Sequence, residues 1–273
     1  MLNNVRQWLR SHPRIYDLSV RARRIFGVKS ATYDTLNAFS IANGRSVRSV
    51  QIGASDGLHS DPIREFIVRD GWSGVLVEPL PYSFARLKAN YSYLQRKDLV
   101  FVNAAIVLTS LHSTVPFWTF SEAYLDGLSH EQRLEHIQKS SFNYAHVAGY
   151  RGRDVNAQQT VVEIPVAGLT VANLSDFLPL SATIDLLVTD CEGYEATLIP
   201  GINWRQFRPR VVLYESHNLG PREEAVNCTW ASHDYHVFQL GGDSLAVTDE
   251  FLQDWHRLSS WASQRLNNST PLK

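Results

Sequence analysis

Glycines and acidic residues recur in this sequence at the points where short apolar runs end. The run VRSVQIG is followed by ASDG, which places Gly53 and Gly57 four residues apart. A glycine turn between a strand and a helix lets backbone N–H groups approach a ligand at the helix N-terminus. The next run, GVLVEP, carries Glu78 at its end, and a carboxylate there can accept hydrogen bonds from both hydroxyls of a ribose. Together the turn and the acid predict a site for a ribose-containing cofactor.

The spacing of the two glycines separates this turn from those that bind dinucleotides. Dinucleotide-binding turns carry G-x-G-x-x-G, whose glycines let the backbone approach a pyrophosphate, whereas QIGASDG carries G-x-x-x-G. The pattern therefore favours a cofactor without a pyrophosphate. The third apolar run, LVFVNAAI, ends at the same edge of a parallel sheet, where an adenine ring can lie. The residues that we expect to bind the cofactor are Gln51, Gly53, Ala54, Ser55, Gly57, Glu78, Pro79, Asn103, Ala104 and Asp190.

Four further side chains that can exchange protons follow two later apolar runs. The segments LLVTDCEG and VVLYESHN place Asp190, Glu192, Glu215 and His217 at strand ends, and these four are the predicted catalytic residues. His217 is the first candidate for a general base, because imidazole titrates close to neutral pH. Of Asp190 and Glu192, one is expected to cap the following helix and the other to contact the substrate. We expect no bound metal, but if a cation such as Mg²⁺ binds, the three carboxylates offer the oxygen ligands that it prefers.

The hydrophobic pattern between these segments alternates between strands and helices. Strand-like runs such as VRSVQIG, GVLVEPL, LVFVNAAIV, VVEIPVAGL, IDLLVTD and RVVLYES are separated by helix-like segments such as DPIREFIVRD and PYSFARLKANYSYLQ. Such alternation predicts βαβ units and a parallel sheet. The run YHVFQLGGDSLAV is typical of a hairpin that turns at Gly241 and Gly242. We therefore predict a Rossmann-like α/β fold over residues 47–250, with a parallel seven-stranded sheet closed by an antiparallel hairpin strand, and a helix and tail over 251–273.

Residues 108–160 interrupt the pattern after the third strand. This insertion is rich in aromatic residues, serine, histidine and glycine, and one helix is expected over residues 129–139. It can form a lid that excludes water and stacks on a sugar or ring substrate, or its aromatic residues can simply pack it onto the sheet. Tyr144 and His146 are the residues of this segment that we expect to contact the substrate.

The first 46 residues are predicted to form a basic, helical extension. Residues 1–48 contain nine Lys or Arg against two acids, Asp17 and Asp34, with apolar side chains at roughly helical spacing. The extension either packs on the main domain with a solvated basic face or docks an anionic or lipid-linked substrate. The second alternative would allow peripheral contact with a membrane.

Composition limits the other classes of function. The net charge of −1 and the pI near 6.8 provide no overall field for nucleic acid, and the base-flipping motif N/D-P-P-Y/F does not occur. The two cysteines, Cys191 and Cys228, form neither a C-x-x-C pair nor a disulfide framework. The N-terminal residues contain no apolar stretch typical of a signal peptide or a membrane span. We expect a cytoplasmic protein with a small-molecule acceptor, compatible with a homodimer.

The segments QIGASDG, LVEP, VNAAI, IDLLVTDCEGYEATLIPG and VVLYESH together resemble the FkbM family of S-adenosylmethionine-dependent methyltransferases. The resemblance covers residues 47–218, and its most specific part is the D-x-E-G-x-E run from Asp190 to Glu195. It implies a class I methyltransferase fold, S-adenosylmethionine as the cofactor, and O-methylation of a saccharide, a glycolipid or a polyketide-type secondary metabolite. Family members typically carry an acid where this chain has Gln51, whose amide can still hydrogen-bond the polar end of the cofactor.

Methyl transfer from a sulfonium needs little from the protein beyond alignment of the acceptor oxygen and removal of its proton.

Two other functions share parts of the sequence pattern. A nicotinamide-dependent oxidoreductase has the same sheet and the same acid, but the missing G-x-G-x-x-G pattern and the lack of a recognisable Tyr-x-x-x-Lys dyad in a helical context disfavour it. A degenerate, cofactor-binding partner protein is suggested only by Gln51, and the presence of Gly53, Gly57, Glu78 and Asp190 disfavours that alternative.

Overall fold

The chain folds around a large, mostly parallel β-sheet, and the computed structural model describes it over residues 11–25, 30–109, 114–150, 160–178 and 183–258. The strands are β1 (Arg48–Ile52), β2 (Ser73–Val77), β3 (Leu99–Val102), β4 (Ala105–Val107), β5 (Thr114–Phe120), β6 (Val161–Thr170), β7 (Leu186–Thr189), β8 (Val211–Glu215), β9 (Tyr235–Leu240) and β10 (Asp243–Thr248). The α-helices are α1 (Pro13–Ile25), α2 (Ala31–Ala42), α3 (Arg64–Asp70), α4 (Pro81–Tyr91), α5 (Glu122–Leu125), α6 (His130–Gln138), α7 (Tyr144–Gly149), α8 (Glu195–Gly201), α9 (Glu223–Ser232) and α10 (Asp249–Leu258).

The central sheet has the strand order β3-β2-β1-β7-β8-β10-β9. Strands β3, β2, β1, β7 and β8 run parallel, whereas β10 lies antiparallel between β8 and β9. The hairpin predicted at Gly241 and Gly242 is the connection between β9 and β10. The predicted α/β class I methyltransferase-like fold is therefore confirmed, with the antiparallel pairing at one side of a mostly parallel sheet. The carboxyl ends of β1, β2, β7 and β8 meet at one edge, where ligands of such sheets bind.

Two runs that the sequence pattern assigns to the parallel sheet lie partly or wholly elsewhere. The run LVFVNAAIV divides at Asn103 into β3 and β4, and VVEIPVAGL forms most of β6. Strand β6 pairs parallel with β4 and antiparallel with β5, so these three strands form a second sheet. The physical reason is visible in β6 itself, because Glu163 and Pro165 suit a half-exposed strand better than the centre of a buried parallel sheet.

The predicted insertion contributes β5 and helices α5 to α7 to this second layer. The helix expected over residues 129–139 is α6, and the Ser129 hydroxyl accepts the N–H of Gln132 in a capping box at its start. Phe117 and Phe142 meet edge to face, with ring centroids 5.1 Å apart. The insertion therefore has a small core of its own and stands over one edge of the central sheet.

Helices cover both faces of the central sheet. On one face, Phe66 stacks on Trp72 with 4.7 Å between ring centroids, and Phe39 of α2 meets Trp72 edge-on at 6.0 Å. On the other face, Trp204 packs against Trp230 of α9 at 4.7 Å. Burial on both faces explains why the parallel strands appear in the sequence as continuous apolar runs.

The described part of the N-terminal extension packs against the domain. Buried Asp17 of α1 accepts hydrogen bonds from the guanidinium of Arg64 in α3, at 2.8 and 3.1 Å. Ser30 caps the start of helix α2 by accepting a hydrogen bond from the N–H of Tyr33, and Phe39 of this helix belongs to the main core. Residues 1–10, 26–29 and 259–273, which hold the rest of the predicted basic extension and most of the tail, lie outside the described ranges. None of the described helices is both long and apolar enough to cross a membrane.

Candidate functional site

A cavity of about 980 Å³, including the solvent space at its mouth, opens between the insertion and the carboxyl ends of β1, β2 and β7. The insertion supplies one wall, in which Phe117, Ile137, Lys139 and Phe142 lie. Eight of the predicted cofactor-binding residues line the cavity: Gln51, Gly53, Ala54, Ser55, Glu78, Pro79, Ala104 and Asp190.

The turn after β1 locks three strand ends together. Gly53 has φ +83°, and a Cβ at this position would lie 1.8 Å from the backbone oxygen of Asp190. The N–H of Gly53 donates to the Val77 carbonyl at 3.0 Å, and Ser55, with φ +48°, donates its N–H to the Glu78 carboxylate at 2.9 Å. Only glycine fits at position 53, so the first glycine of the G-x-x-x-G pattern is required by the approach of β7.

The carboxylate of Glu78 is held at the base of the cavity. It is buried, and it accepts the N–H groups of Ser55 and Leu80, each at 2.9 Å. Burial raises the pKa of Glu78 to about 7, although the two N–H groups work in the opposite direction by stabilising the ionised form. Glu78 is thus a fixed acceptor with a pKa near neutrality, which fits the predicted contact with a ribose.

Two of the predicted cofactor residues do not line the cavity. A Cβ on Gly57, whose φ is +63°, would lie 2.4 Å from a side-chain carbon of Leu87, so this glycine lets the turn pack against α4. The Asn103 amide donates to the carbonyls of Glu78 and Pro79 at 2.8 and 3.0 Å. In the described structure both residues therefore shape the loops around the cavity.

Three predicted catalytic acids, Asp190, Glu192 and Glu215, come together beside the cavity. One ligand atom from each lies within 4.8 Å of those of the other two, and we call these residues the acid cluster. Asp190 is open to the cavity, and none of the described residues donates a hydrogen bond to its carboxylate. Although its side chain is exposed to the cavity, partial desolvation by the surrounding protein and the neighbouring charges of Glu215 and Glu192 raise the pKa of Asp190 to about 8. The site can therefore take up a proton or a cation.

Glu192 connects the acid cluster to the insertion. Its Oε1 accepts a hydrogen bond from the Lys139 ammonium at 2.6 Å, and its Oε2 lies 3.0 Å from Nε2 of His146. Burial raises the pKa of Glu192, but the hydrogen bonds from His146 and Lys139 outweigh it and the net shift is downward. Glu192 has φ +52°, an uncommon backbone conformation for a residue with a Cβ, held in place by these contacts.

His217, the predicted base, lies at the far side of Glu215. Its exposed ring places Nε2 3.4 Å from Oε1 of Glu215, and Nδ1 is 3.3 Å from the Gly242 carbonyl. Asn218 donates to the same Oε1 at 3.0 Å. Neither His217 nor Glu215 is among the residues that line the cavity, so His217 reaches the acid cluster through Glu215.

Neither Asp190 nor Glu192 caps helix α8, which begins without a side-chain cap, and Glu195 instead binds the turn that precedes the helix. Its buried carboxylate accepts the N–H of Gly193 at 3.0 Å and the N–H of Cys191 through its other oxygen. No hydrogen bond joins Asp190 or Glu192 to a backbone amide within the described residues. The expected cap from one of those two acids is therefore wrong, while contact of the other with a substrate stays a prediction.

Asp61 is a cavity residue that the sequence pattern did not single out as functional. It accepts the N–H groups of Ile63 and Arg64 at 2.9 and 3.0 Å, and its Oδ1 lies 3.5 Å from the Gln51 amide nitrogen. The Asp-Pro pair before the predicted helix DPIREFIVRD was the available signal, since an acid at this position commonly caps a helix. An acid thus lies beside Gln51, although position 51 itself carries an amide.

The two predicted substrate residues occupy different environments. His146 contacts Glu192 in the acid cluster, while Tyr144 is partly exposed and packs edge to face on Trp118, with ring centroids 5.0 Å apart. Neither side chain lines the cavity in the described structure. Their contact with a substrate stays a prediction.

Comparison with known proteins places this fold and site in a family. The sequence model of the FkbM methyltransferase domain matches residues 51–255, and no curated protein matches the chain. An FkbM methyltransferase from Methylobacillus flagellatus is 10% identical with a TM-score of 0.44, and the match covers 74% of this chain and 44% of that one. A methyltransferase from Podospora anserina with bound S-adenosylhomocysteine is 10% identical with a TM-score of 0.40, covering 77% and 75%. The precorrin-6y C5,15-methyltransferase from Geobacter metallireducens is 12% identical with a TM-score of 0.38, covering 77% and 87%.

The matched residues include the turn after β1, Glu78 and the acid cluster. The match begins in β1 and ends in α10, so it spans the central sheet and the insertion. This chain spans less than half the length of the Methylobacillus protein. The resemblance read from QIGASDG and IDLLVTDCEGYEATLIPG is confirmed, and the chain belongs to the FkbM family of S-adenosylmethionine-dependent methyltransferases.

Proposed function

We propose that this protein transfers the methyl group of S-adenosylmethionine to a hydroxyl oxygen of a small acceptor, a saccharide or a hydroxylated secondary metabolite. The observation that carries this proposal is the position of Asp190, which lines the same cavity as Glu78 and belongs to the acid cluster. One cavity thus offers a ribose acceptor and, beside it, a group of carboxylates that can bind a hydroxyl. Both features suit O-methylation, in which the cofactor must be held and the acceptor proton removed.

The cofactor would bind with its ribose hydroxyls on Glu78. Another part of it would contact the protein backbone of the turn at Gly53. An ionised carboxylate accepts hydrogen bonds only, so it is matched to the two ribose hydroxyls. Ala104 and Pro79 line the adjoining part of the cavity, where a flat adenine ring fits. Gln51 and Asp61 would then face the amino acid end of the cofactor.

In the reaction, a lone pair of the acceptor oxygen attacks the methyl carbon while the bond from that carbon to sulfur breaks. The electron pair stays on sulfur, which leaves as the neutral thioether S-adenosylhomocysteine, and the acceptor proton passes to the acid cluster. Asp190 is the member that faces the cavity, and its pKa of about 8 makes it a stronger base than an ordinary carboxylate. His217 would act through Glu215, whose position it helps to fix.

The insertion would determine which acceptor enters. Phe117, Ile137 and Phe142 give its wall of the cavity an apolar surface, against which the face of a sugar or an aromatic ring can pack. Lys139 and Glu192 add polar groups at the edge of that wall. A mixed surface of this kind fits a polyhydroxylated or phenolic molecule.

The test is an acceptor screen with radiolabelled S-adenosylmethionine, using a panel of saccharides, glycolipids and hydroxylated polyketides. Each labelled product is examined by NMR to locate the new methyl group. We expect a methyl ether, and a parallel reaction with Asp190→Asn should form it at least about 100 times more slowly. Transfer of the label to nitrogen or carbon would contradict the proposal.

A further inference from the structure

The basic side chains around the acid cluster are unevenly distributed among its three carboxylates. Among the described residues, Lys139 and His146 pair with Glu192, and His217 lies 3.4 Å from Glu215. Asp190 has no ion-pair partner within the same ranges. Glu192 and Glu215 are buried, and the ligand atoms of all three acids lie within 4.8 Å of one another, so their mutual repulsion when ionised favours an additional positive charge.

One oxygen of the cluster has no hydrogen-bond partner although it is buried. The side chain of Glu215 is 6% exposed, and its Oε1 is occupied by Asn218 while its Oε2 receives no donor. A buried carboxylate oxygen without a donor is costly, and native structures usually provide it with a partner. In this structure that oxygen belongs to a group whose ligand atoms already converge with those of Asp190 and Glu192.

The charges also fit a divalent ion. The three carboxylates of the cluster carry three negative charges when ionised, and the ammonium of Lys139 neutralises one of them. Two negative charges remain for one divalent cation. The converging ligands are all oxygen atoms. Hard cations such as Mg²⁺ and Mn²⁺ prefer oxygen ligands, whereas softer metals prefer sulfur or nitrogen.

We propose that Asp190, Glu192 and Glu215 bind one Mg²⁺ or Mn²⁺ ion beside the cofactor cavity. This reverses the expectation of a metal-free site, and its role in catalysis rests on the proposed O-methylation. A hydroxyl bound to such a cation is more acidic than a free one, so its proton would pass more readily to a free carboxylate oxygen of Asp190, the proton acceptor in the proposed reaction. The acceptor class is thereby narrowed to molecules whose hydroxyl, alone or with a neighbouring oxygen, can join the cation's ligands.

Binding of Mn²⁺ to the full chain, followed by electron paramagnetic resonance without cofactor or acceptor, tests the site itself. We expect saturable binding of one ion per chain, displaced by excess Mg²⁺. Glu215→Gln and Asp190→Asn should each weaken Mn²⁺ binding at least about ten-fold, because each removes a charged ligand. Circular dichroism and binding of S-adenosylhomocysteine to the Glu215→Gln variant verify that the fold is intact.

Asp243→Asn is the matched control, since Asp243 adds negative charge near Asp190 but is not one of the three converging acids. It should change Mn²⁺ affinity by less than about five-fold. Absence of saturable binding to the wild type would overturn the proposal, as would equal weakening in all three variants. The ion-binding assay contains no cofactor, so its result does not depend on the proposed function. Ion binding by a protein that transfers no methyl group in the acceptor screen would therefore refute only the proposed function. Methyl transfer unaffected by a chelator, with no ion bound, would refute only the cation.

Discussion

The ammonium of Lys139 lies 2.6 Å from Oε1 of Glu192, and this contact joins the insertion to the loop after β7. A second tie lies beside it, because the Ser141 hydroxyl donates to the Glu192 carbonyl at 3.0 Å. These two contacts therefore connect the insertion's wall of the cavity directly to the acid cluster. Loss of the ion pair should affect both the stability of the protein and its catalysis.

Replacing Lys139 with Met should lower the free energy of unfolding by about 1–3 kcal/mol, because it removes the charged partner of a buried carboxylate. Turnover should fall at least about ten-fold, since Glu192 would no longer be held in place. Urea unfolding and initial rates measure the two effects. Lys139→Arg keeps the charge and should recover part of each. Equal stability and turnover in the wild type and the Met variant would show that this contact has no role.

Gly53→Ala should be far more damaging than Gly241→Ala, although both glycines have nearly the same φ, +83° and +81°. A Cβ at position 53 would meet the Asp190 carbonyl oxygen at 1.8 Å, whereas nothing lies within 4 Å of one at position 241. We expect a loss of about 1 kcal/mol at position 241 from backbone strain alone, and at least about 3 kcal/mol at position 53. Thermal or urea unfolding of the two variants measures the difference. Similar losses at both positions would mean that β7 does not approach the turn this closely.

Binding of S-adenosylhomocysteine should strengthen as the pH rises from 6 to 8. Burial raises the pKa of Glu78 to about 7, so the protonated form dominates below that pH and the ionised form above it. The ionised form accepts hydrogen bonds from both ribose hydroxyls, and its gain in affinity should be about three- to ten-fold. Calorimetric titrations at several pH values measure this, with Glu78→Gln as the variant that should show no such rise. Affinity that falls with pH in the wild type would contradict an ionised Glu78 in the complex.

Comparison of Asp190→Asn with His217→Ala separates the two candidate proton acceptors. Asp190 faces the cavity, whereas His217 has an exposed ring and reaches the acid cluster only through Glu215. We therefore expect turnover to fall at least about 100-fold in Asp190→Asn and less than about ten-fold in His217→Ala. Single-turnover rates at saturating cofactor give the comparison. A larger loss in the His217 variant would return that residue to the role of direct base.

Most of the predicted cofactor-binding residues line one cavity, and this grouping was predictable because its signals are local. Gly53 and Glu78 each directly follow a strand that is recognisable from its own apolar run, and the parallel order of the sheet brings those strand ends together. The same reasoning located Asp190, Glu192 and Glu215 at one edge. Each depends on a few neighbouring residues and on the topology of the sheet.

The remainder of the site depends on contacts between distant segments. Lys139 meets Glu192 across 53 residues, and no local pattern identifies that pair. The second sheet was missed because β6 resembles a sheet strand in composition, while its partners β4 and β5 are set by the packing of the insertion. The roles of Gly57 and Glu195 also could not be predicted from local sequence. Helix α4 limits the space at Gly57, and the fold of the turn brings the Glu195 carboxylate onto the N–H of Gly193.

Calorimetric binding of S-adenosylhomocysteine and its 2′-deoxyribose analogue to the wild type and to Glu78→Gln tests the central assignment most directly. If Glu78 binds the ribose, loss of the 2′-hydroxyl should weaken binding to the wild type about ten-fold or more and change binding to the variant by less than about three-fold. Glu250→Gln, which alters an exposed acid in α10, should behave like the wild type. An equal loss of affinity in the wild type and the Glu78 variant would contradict the assignment of Glu78 as the ribose acceptor.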